Sequence, residues 1–372
     1  MGLIGANTGA AARIAVRFAL QGDVSAIEVL TGGHINESYR VTVSLPESPV
    51  YLLQRVNARV FPRPDQVMEN VARVTTHLRA RLQAEHLADW QRRTLQLVPT
   101  TSGAPWLADR PDDTWRMFVF IAGTVAREHA SGPDDARAAG QAYGAFLRRL
   151  ADYSGPVLHE TIPGFHDTSG RLARLRTAVR AASAERAART RADVAAVLAG
   201  SELAAEHDRL LQGGALPRRI VHNDAKLANV LFDTASGAPL CVVDLDTVMP
   251  GTSIYDFGDM IRSITSPTAE DERDLTRIDV RLPLFEALAA GYLESAGSVL
   301  TAAEIGHLVF GGLLITLEQA ARFLTDYLEG DRYYAIQRPD HNLERCRAQL
   351  RLLDALTAHR SELEATIRRL SG

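Results

Sequence analysis

Four polar residues between positions 224 and 244 have the types and spacing that phosphate chemistry with a divalent metal requires. Asp224, Lys226 and Asn229 lie in the motif H-x-D-x-K-x-x-N. Asn229 precedes one apolar run and Asp244 ends the next, with a turn at Ser236-Gly237 between the runs. Two short strands joined by a glycine-containing turn form a hairpin. We therefore predict that Asn229 and Asp244 lie at neighbouring ends of a hairpin, close to Asp224.

The chemistry of these side chains assigns a role to each. Hard Mg²⁺ binds one or two carboxylate or carbonyl oxygens in addition to waters and phosphate oxygens, and Asn229 and Asp244 offer such oxygens. Phosphoryl transfer also needs a group that accepts the proton of the attacking hydroxyl, which is the role we predict for Asp224. Lys226 carries a compact charge that can reach the transferring phosphoryl group. The motif thus predicts phosphoryl transfer from a nucleotide.

A second acidic motif, Asp256-Phe257-Gly258, has the letters of the metal-binding D-F-G of protein kinases. It follows a predicted loop, Pro250 to Ser253, whereas Asp244 ends an apolar strand. We therefore predict that Asp244 is the metal ligand. Asp256 is expected to brace the catalytic loop by hydrogen bonds.

The segment Ile220 to Gly258 resembles the catalytic segment of the kinase-like phosphotransferase superfamily that includes aminoglycoside phosphotransferases and choline kinases. Its strings H-N-D-x-K-L-x-N-V-L-F-D, V-V-D-L-D-T-V-M-P-G and Y-D-F-G-D are most similar to bacterial N-acetylhexosamine 1-kinases. The resemblance is dense over these residues and recurs in shorter pieces across most of the chain. It implies a bilobal kinase-like fold, ATP and Mg²⁺ as cofactors, and a sugar phosphorylated at its anomeric hydroxyl.

The apolar patterns before the motif predict an α+β small lobe followed by a mainly helical lobe. The first part is expected to contain a five-stranded antiparallel sheet with one helix inserted after the third strand, in residues 1–121. Its predicted elements are a helix at 11–20, strands at 25–30, 39–43 and 50–56, a helix at 64–82, and strands at 94–98 and 114–121. Residues 122–372 form the predicted catalytic and substrate-binding lobe, with helices at 134–153, 171–198 (one helix or a pair), 282–293, 302–327 and 342–370.

Six residues of the first lobe are candidate nucleotide-site residues. Gly32 and Gly33 lie in the turn between the first two strands, where backbone N–H groups can approach phosphates. Arg55 falls where the superfamily pattern places a phosphate-binding lysine, and Glu69 of the next helix is its candidate partner, a solvated helix charge being the alternative. Phe120 and Ile121 fall at the expected hinge, whose backbone groups would bind the adenine.

Three residues are implied as acceptor contacts by the resemblance to N-acetylhexosamine 1-kinases. They are His34, beside the glycine turn, and Arg322 and Tyr333, within R-F-L-T-D-Y-L-E-G-D-R-Y. An Arg, a Tyr and a His suit a polyhydroxylated substrate with an amide or carboxyl group. The alternative for the last two is a helix end with exposed polar residues.

Composition limits the remaining possibilities. The 372 residues are 46% hydrophobic with a formal net charge of −4, which does not favour a nucleic-acid footprint, since that needs a basic patch. Two cysteines are too few for a disulfide framework, and the sequence shows no signal peptide or membrane span. We expect a cytoplasmic enzyme whose partners are small molecules, with no nucleic acid, membrane or protein partner implied.

The acceptor stays open at this point. Another hydroxyl acceptor on the same scaffold is the nearest alternative: a cyclitol, an aminoglycoside or a choline-like amino alcohol. Polycationic acceptors usually call for an acidic pocket, which the sequence does not clearly show. A nucleotide-binding pseudokinase is a remote alternative, because a binding module has no use for the proton acceptor Asp224.

Overall fold

The computed structural model describes residues 4–31, 35–45, 47–110 and 113–372. They form two compact units. The first unit is Met1–Val125 with Asp152–Pro163 and Leu231–Met249, and the second is Ala126–Ala151, Gly164–Val230 and Pro250–Gly372. The predicted lobe boundary after residue 121 stays a prediction.

The first unit is built on a five-stranded antiparallel sheet of order β1-β2-β3-β5-β4, which confirms the predicted fold class. Helix α2 lies between the third and fourth strands of the chain, as predicted. The elements are α1 (Ile4–Ala15), β1 (Val24–Leu30), β2 (Glu37–Val43), β3 (Tyr51–Arg55), α2 (Pro64–Ala84), β4 (Leu107–Arg110) and β5 (Asp113–Val119).

Two predicted elements differ in the structure. The fourth strand is Leu107–Arg110, so the strand predicted at 94–98 is wrong. That segment nevertheless runs beside β5, because Val98 N donates to Met117 O at 2.8 Å and Val119 N donates to Gln96 O at 2.9 Å. The first helix ends at Ala15 rather than at residue 20. The alternation of apolar residues at 94–98 correctly indicated an extended segment, but it did not show which segment forms the fourth strand of the sheet.

The two faces of this sheet have different neighbours. Buried side chains of one face, among them Tyr39, Leu53 and Trp115, form a core cluster with residues of α1. Strand residues alternate between faces, so Ser38, Gln54 and Arg116, which are paired across β2, β3 and β5, lie on the other face.

The predicted hairpin is confirmed as β8 (Val230–Asp233) and β9 (Pro239–Val242), joined with β6 (Thr124–Ala126) in a three-stranded sheet. Its turn contains Gly237 at φ 71°, a left-handed conformation that glycine adopts without steric cost.

The second unit is mainly helical, with a two-stranded sheet of β7 (Arg219–Val221) and β10 (Met249–Gly251). The loop predicted from Pro250 to Ser253 is wrong at its first two residues, which belong to β10. The helices are α3 (Pro133–Leu150), α4 (Thr168–Ala181), α5 (Ala184–Arg189), α6 (Arg191–Ala199), α7 (Ser201–Gln212), α8 (Ser253–Ile264), α9 (Leu282–Ala296), α10 (Ala302–Gly306), α11 (Leu308–Leu328) and α12 (His341–Ser371).

Glycines allow the central helices of this unit to cross closely. A Cβ on Gly140 of α3 would lie 2.2 Å from the backbone oxygen of Leu288 in α9, and one on Gly258 of α8 would lie 2.4 Å from that of Gly311 in α11. Among the described residues, α11 alone is long and apolar enough to cross a membrane by length and composition. Its apolar window is 89% buried within the protein, as in the core helix of a globular protein.

Candidate active site

The predicted catalytic loop begins directly after β7 and is held by Asp256 of α8. His222 N donates to Asp256 Oδ2 at 2.8 Å and Asn223 N donates to Oδ1 at 2.7 Å. Asn223 has φ 63°, which a non-glycine residue adopts only when its surroundings impose it. The prediction that Asp256 braces this loop is confirmed.

The loop is also packed from its other side by α3. His222 is fully buried, with its ring 5.4 Å from that of Tyr143 and 5.9 Å from that of Phe146. The Tyr143 hydroxyl donates to the Lys226 backbone oxygen at 2.9 Å. The histidine of the motif thus anchors the loop to the core of the second unit.

Three of the predicted site residues meet within this loop. Lys226 Nζ lies 3.0 Å from Asp224 Oδ2, and Asn229 Nδ2 donates to the same Oδ2 and to the Asp224 backbone oxygen, both at 3.0 Å. Burial raises the pKa of the Asp224 carboxyl, but the charge of Lys226 and the hydrogen bonds outweigh it, so the pKa lies below its ordinary value. Asp224 is therefore ionised at neutral pH and able to accept a proton.

The side-chain hydrogen bonds of Asn229 with other described residues use its amide nitrogen, and its amide oxygen accepts none from them. An uncharged oxygen donor fits Mg²⁺ that arrives with a nucleotide and keeps waters and phosphate oxygens. No group of three or more His, Cys, Asp or Glu suited to a metal occurs in the described part of the chain. These donors fit a metal carried by the nucleotide better than one held by protein ligands alone.

The predicted metal ligand Asp244 belongs to the first unit. It follows β9 in a left-handed conformation, φ 60° and ψ 59°, and a 3₁₀ turn, Leu245–Thr247, begins at the next residue. Asp246 of that turn is 1% exposed, and its carboxylate accepts hydrogen bonds from Arg116 and Asn36. Arg116 and Asp246 were not predicted as site residues from the sequence. The pattern D-x-D at Asp244 and Asp246, which follows an apolar strand, was the signal that could have identified Asp246.

The predicted pair of Arg55 and Glu69 is wrong. Arg55 Nε donates to Asp113 Oδ1 at 2.6 Å, and its NH1 lies 3.3 Å from Glu37 Oε1. Its guanidinium lies over the Trp115 ring, 5.9 Å from the centroid, on the α1 side of the sheet. Register explains the error, because successive strand residues point to opposite faces.

Glu69 instead binds two other residues of the first unit. Arg73 NH2 lies 2.7 Å and His159 Nε2 lies 2.8 Å from its Oε2. At the predicted hinge, Phe120 N donates to Val50 O at 2.8 Å and Ile121 O accepts from Thr124 Oγ1 at 2.7 Å, so these two backbone groups are already paired. Gly32, Gly33 and His34 lie outside the described residues.

The predicted acceptor residues Arg322 and Tyr333 lie in one aromatic cluster of the second unit. The Arg322 guanidinium lies 5.0 Å from the Phe165 ring centroid and 5.7 Å from that of Tyr334. Tyr333 is 56% exposed and packs edge-on against Tyr334. The loop carrying both tyrosines is fixed by the Asp326 carboxylate, which accepts their backbone N–H groups at 2.8 and 2.9 Å.

His166 links this cluster to the catalytic loop. Its Nε2 lies 3.0 Å from the Asn223 backbone oxygen and its Nδ1 lies 2.9 Å from Glu318 Oε1. Glu318 is one helical turn before Arg322 on α11. The position of His166 beside Asn223 was not predicted from the sequence.

The sequence and the fold of this chain were compared with those of known proteins. The sequence profile of the phosphotransferase enzyme family matches residues 26–290. A microcompartment-associated aminopropanol kinase is 17% identical, with a TM-score of 0.65 over 96% of this chain and 98% of its own. A spectinomycin phosphotransferase solved with ADP and spectinomycin is 12% identical, with a TM-score of 0.58 over 91% and 95%. An aminoglycoside phosphotransferase from Alicyclobacillus acidocaldarius is 15% identical, with a TM-score of 0.57 over 95% and 96%.

Proposed function

This chain belongs to the phosphotransferase enzyme family and is a small-molecule phosphotransferase; we propose that it transfers the γ-phosphoryl group of ATP to the anomeric hydroxyl of a hexose-like sugar, with an N-acetylhexosamine as the expected acceptor. The observation that carries the kinase proposal is the Asp224–Lys226–Asn229 arrangement. A carboxylate that can accept a proton, a cation and an uncharged oxygen donor for a metal are groups that phosphoryl transfer uses.

Each residue of the loop has a proposed role. The Asp224 carboxylate accepts the proton of the acceptor hydroxyl as that oxygen attacks the γ-phosphorus and the β–γ bridging oxygen leaves with ADP. Lys226 keeps Asp224 ionised and offers charge to the phosphoryl oxygens. Asn229 and Asp244 are proposed to give oxygens to Mg²⁺, which neutralises phosphate charge when it is bound.

Electrostatics around Arg322 support a neutral or anionic acceptor. Burial and the neighbouring charge of Arg322 lower the pKa of Arg171, which indicates two guanidinium groups in one region. Arg322 also lies over the faces of Phe165 and Tyr334, the kind of surface on which an ammonium ligand would otherwise bind. A sugar with hydroxyl and amide groups can accept hydrogen bonds from Arg322. The Glu318 carboxylate is an anionic neighbour of both guanidinium groups and offsets part of their repulsion of a cationic acceptor.

The second candidate is an amino-alcohol kinase. It is favoured by the structural likeness to the aminopropanol kinase, which extends over nearly the whole of both chains. This likeness is at low identity and concerns the fold. The charge at Arg322 and Arg171 is what separates the two candidates.

The deciding experiment offers purified protein ATP, Mg²⁺ and a panel of acceptors. The panel contains N-acetylglucosamine, N-acetylgalactosamine, glucose, an inositol, an aminoglycoside, choline and 1-aminopropan-2-ol, and Asp224→Asn serves as the blank for ATP hydrolysis. We expect ADP release with the N-acetylhexosamines, and ³¹P NMR coupling of the product phosphate to the anomeric proton. Phosphate on a primary hydroxyl would overturn the 1-kinase proposal alone. Higher kcat/KM with an amino alcohol would overturn the sugar proposal.

A further inference from the structure

The buried carboxylate of Asp246 is a junction within the first unit. It accepts two hydrogen bonds from Arg116, one of them from NH2 at 3.1 Å, and a third from Asn36 Nδ2 at 2.7 Å. The Asp246 backbone oxygen also accepts from Thr161 Oγ1 at 2.8 Å. Four donors from three different segments therefore converge on one residue.

Each donor ties Asp246 to a fixed part of the unit. Arg116 is on β5, is 2% exposed, and its Nε donates to Gln54 Oε1 on β3 at 3.0 Å. Asn36 precedes β2, and its Oδ1 accepts from Asn57 N at 3.0 Å. The turn containing Asp246 is thus attached to β5, through it to β3, and to the segment that precedes β2.

The same turn sets the backbone of Asp244. Asp244 is left-handed, and its 3₁₀ turn closes with Val248 N donating to Leu245 O at 3.1 Å. Val248 O in turn accepts from Asn70 Nδ2 at 3.1 Å. A left-handed aspartate persists when surrounding contacts impose it. Asp246 is two residues from Asp244, and its side chain and backbone oxygen accept four hydrogen bonds that attach this turn to the first unit.

We propose that Arg116 and Asp246 are a positioning pair that holds the Asp244 backbone in the conformation required for binding the nucleotide-bound metal. The proposal rests on the proposed kinase function. Arg116 is a buried cation on the face of the sheet opposite to Arg55, and it binds a carboxylate two residues from the predicted metal ligand Asp244. Groups that orient a metal ligand typically change metal affinity or activity by about 10- to 100-fold when they are removed.

The test compares Asp246→Asn and Arg116→Lys with the parent protein. The dissociation constant of Mn²⁺ with a non-hydrolysable ATP analogue is measured calorimetrically, and hydrogen exchange is measured over residues 244–248. We expect an affinity loss of about 10- to 100-fold and faster exchange in this segment. The metal concentration for half-maximal turnover should rise in parallel, while the KM for the acceptor changes little. Arg116→Lys retains the buried charge and serves if Asp246→Asn fails to fold.

Asp193→Asn is the matched control. Asp193 is also nearly buried and is held by Arg347 through two bonds of 3.0 Å, in the second unit. It should lower thermal stability and leave Mn²⁺-nucleotide affinity unchanged. Equal destabilisation in all variants with unchanged metal affinity would show that the Arg116–Asp246 pair is only structural. A parent protein that binds Mn²⁺-nucleotide but phosphorylates no acceptor would count against the proposed function and leave the positioning pair intact.

Discussion

Replacing Asp256 by alanine should destabilise the protein and damage the catalytic loop together. Asp256 is 3% exposed and accepts the N–H groups of His222 and Asn223. Two hydrogen bonds to a charged acceptor are worth about 3 to 6 kcal/mol together. Desolvation raises the pKa of Asp256, so burial of its charge offsets part of this gain. We expect a loss of about 3 to 4 kcal/mol in the free energy of unfolding, near the lower end of that range.

Thermal unfolding measures this loss. At about 2 to 4 °C per kcal/mol, the midpoint of the second unit should fall by roughly 6 to 16 °C. At temperatures below the transition, kcat should also fall, because Asn223 can leave its left-handed conformation and move Asp224. Asp256→Asn keeps one acceptor oxygen and should lose about half as much stability on the same scale.

The contribution of Asp256 to the stability of the protein should change with pH in a definite direction. The folded-state pKa of Asp256 is raised, so the native state retains its proton to higher pH than the unfolded state does. The contribution of this group to stability therefore decreases as pH rises through the window between the two pKa values. Both Asp256 variants should lose this part of the pH dependence.

Asp259→Ala is the control in the same helix. Asp259 is similarly buried, but it binds Arg262, which keeps Glu270 as a second partner. This variant should lose less stability and retain kcat. If Asp256→Ala has the same unfolding midpoint and the same kcat as Asp259→Ala, Asp256 does not brace the catalytic loop.

The other variants separate proton transfer, metal binding and acceptor recognition. Asp224→Asn should lower kcat by about 10²- to 10⁴-fold with nucleotide affinity retained in calorimetry; near-normal turnover would exclude Asp224 as the base. Asp244→Ala should abolish Mg²⁺-supported turnover while the unfolding midpoint changes less than in Asp256→Ala; if the two variants exchange these phenotypes, Asp256 is the ligand. Lys226→Met should raise the pKa of Asp224, since burial then acts without the opposing charge, and should move the acid limb of kcat/KM to higher pH; an unmoved limb would mean that another group titrates. Arg322→Ala should raise the acceptor KM more than Tyr333→Phe, because hydrogen bonds to a charged group are worth about 1.5 to 3 kcal/mol and neutral ones about 0.5 to 1.5; equal loss of affinity for ATP would place both residues in folding.

Sequence alone determined the parts of the site that are close along the chain. Asp224 contacts Lys226 and Asn229 because all three residues belong to one short loop. The hairpin of β8 and β9 was predicted from two apolar runs with a glycine-containing turn between them. The loop expected before Asp256 was predicted less well, because its first two residues belong to β10. These inferences depend on local backbone geometry, which short patterns specify.

Tertiary structure decided every pairing between distant segments. Arg55 binds Asp113 because the register of β3 against β5 places its side chain on the α1 side of the sheet, and a shift of one residue would have reversed the face. The buried cation of the other face, Arg116, and its partner Asp246 are 130 positions apart in the chain. The sequence does not determine such pairs, because many carboxylates in the chain could pair with a given arginine. Only the packed sheet decides which carboxylate lies within hydrogen-bond distance of the arginine once water is excluded.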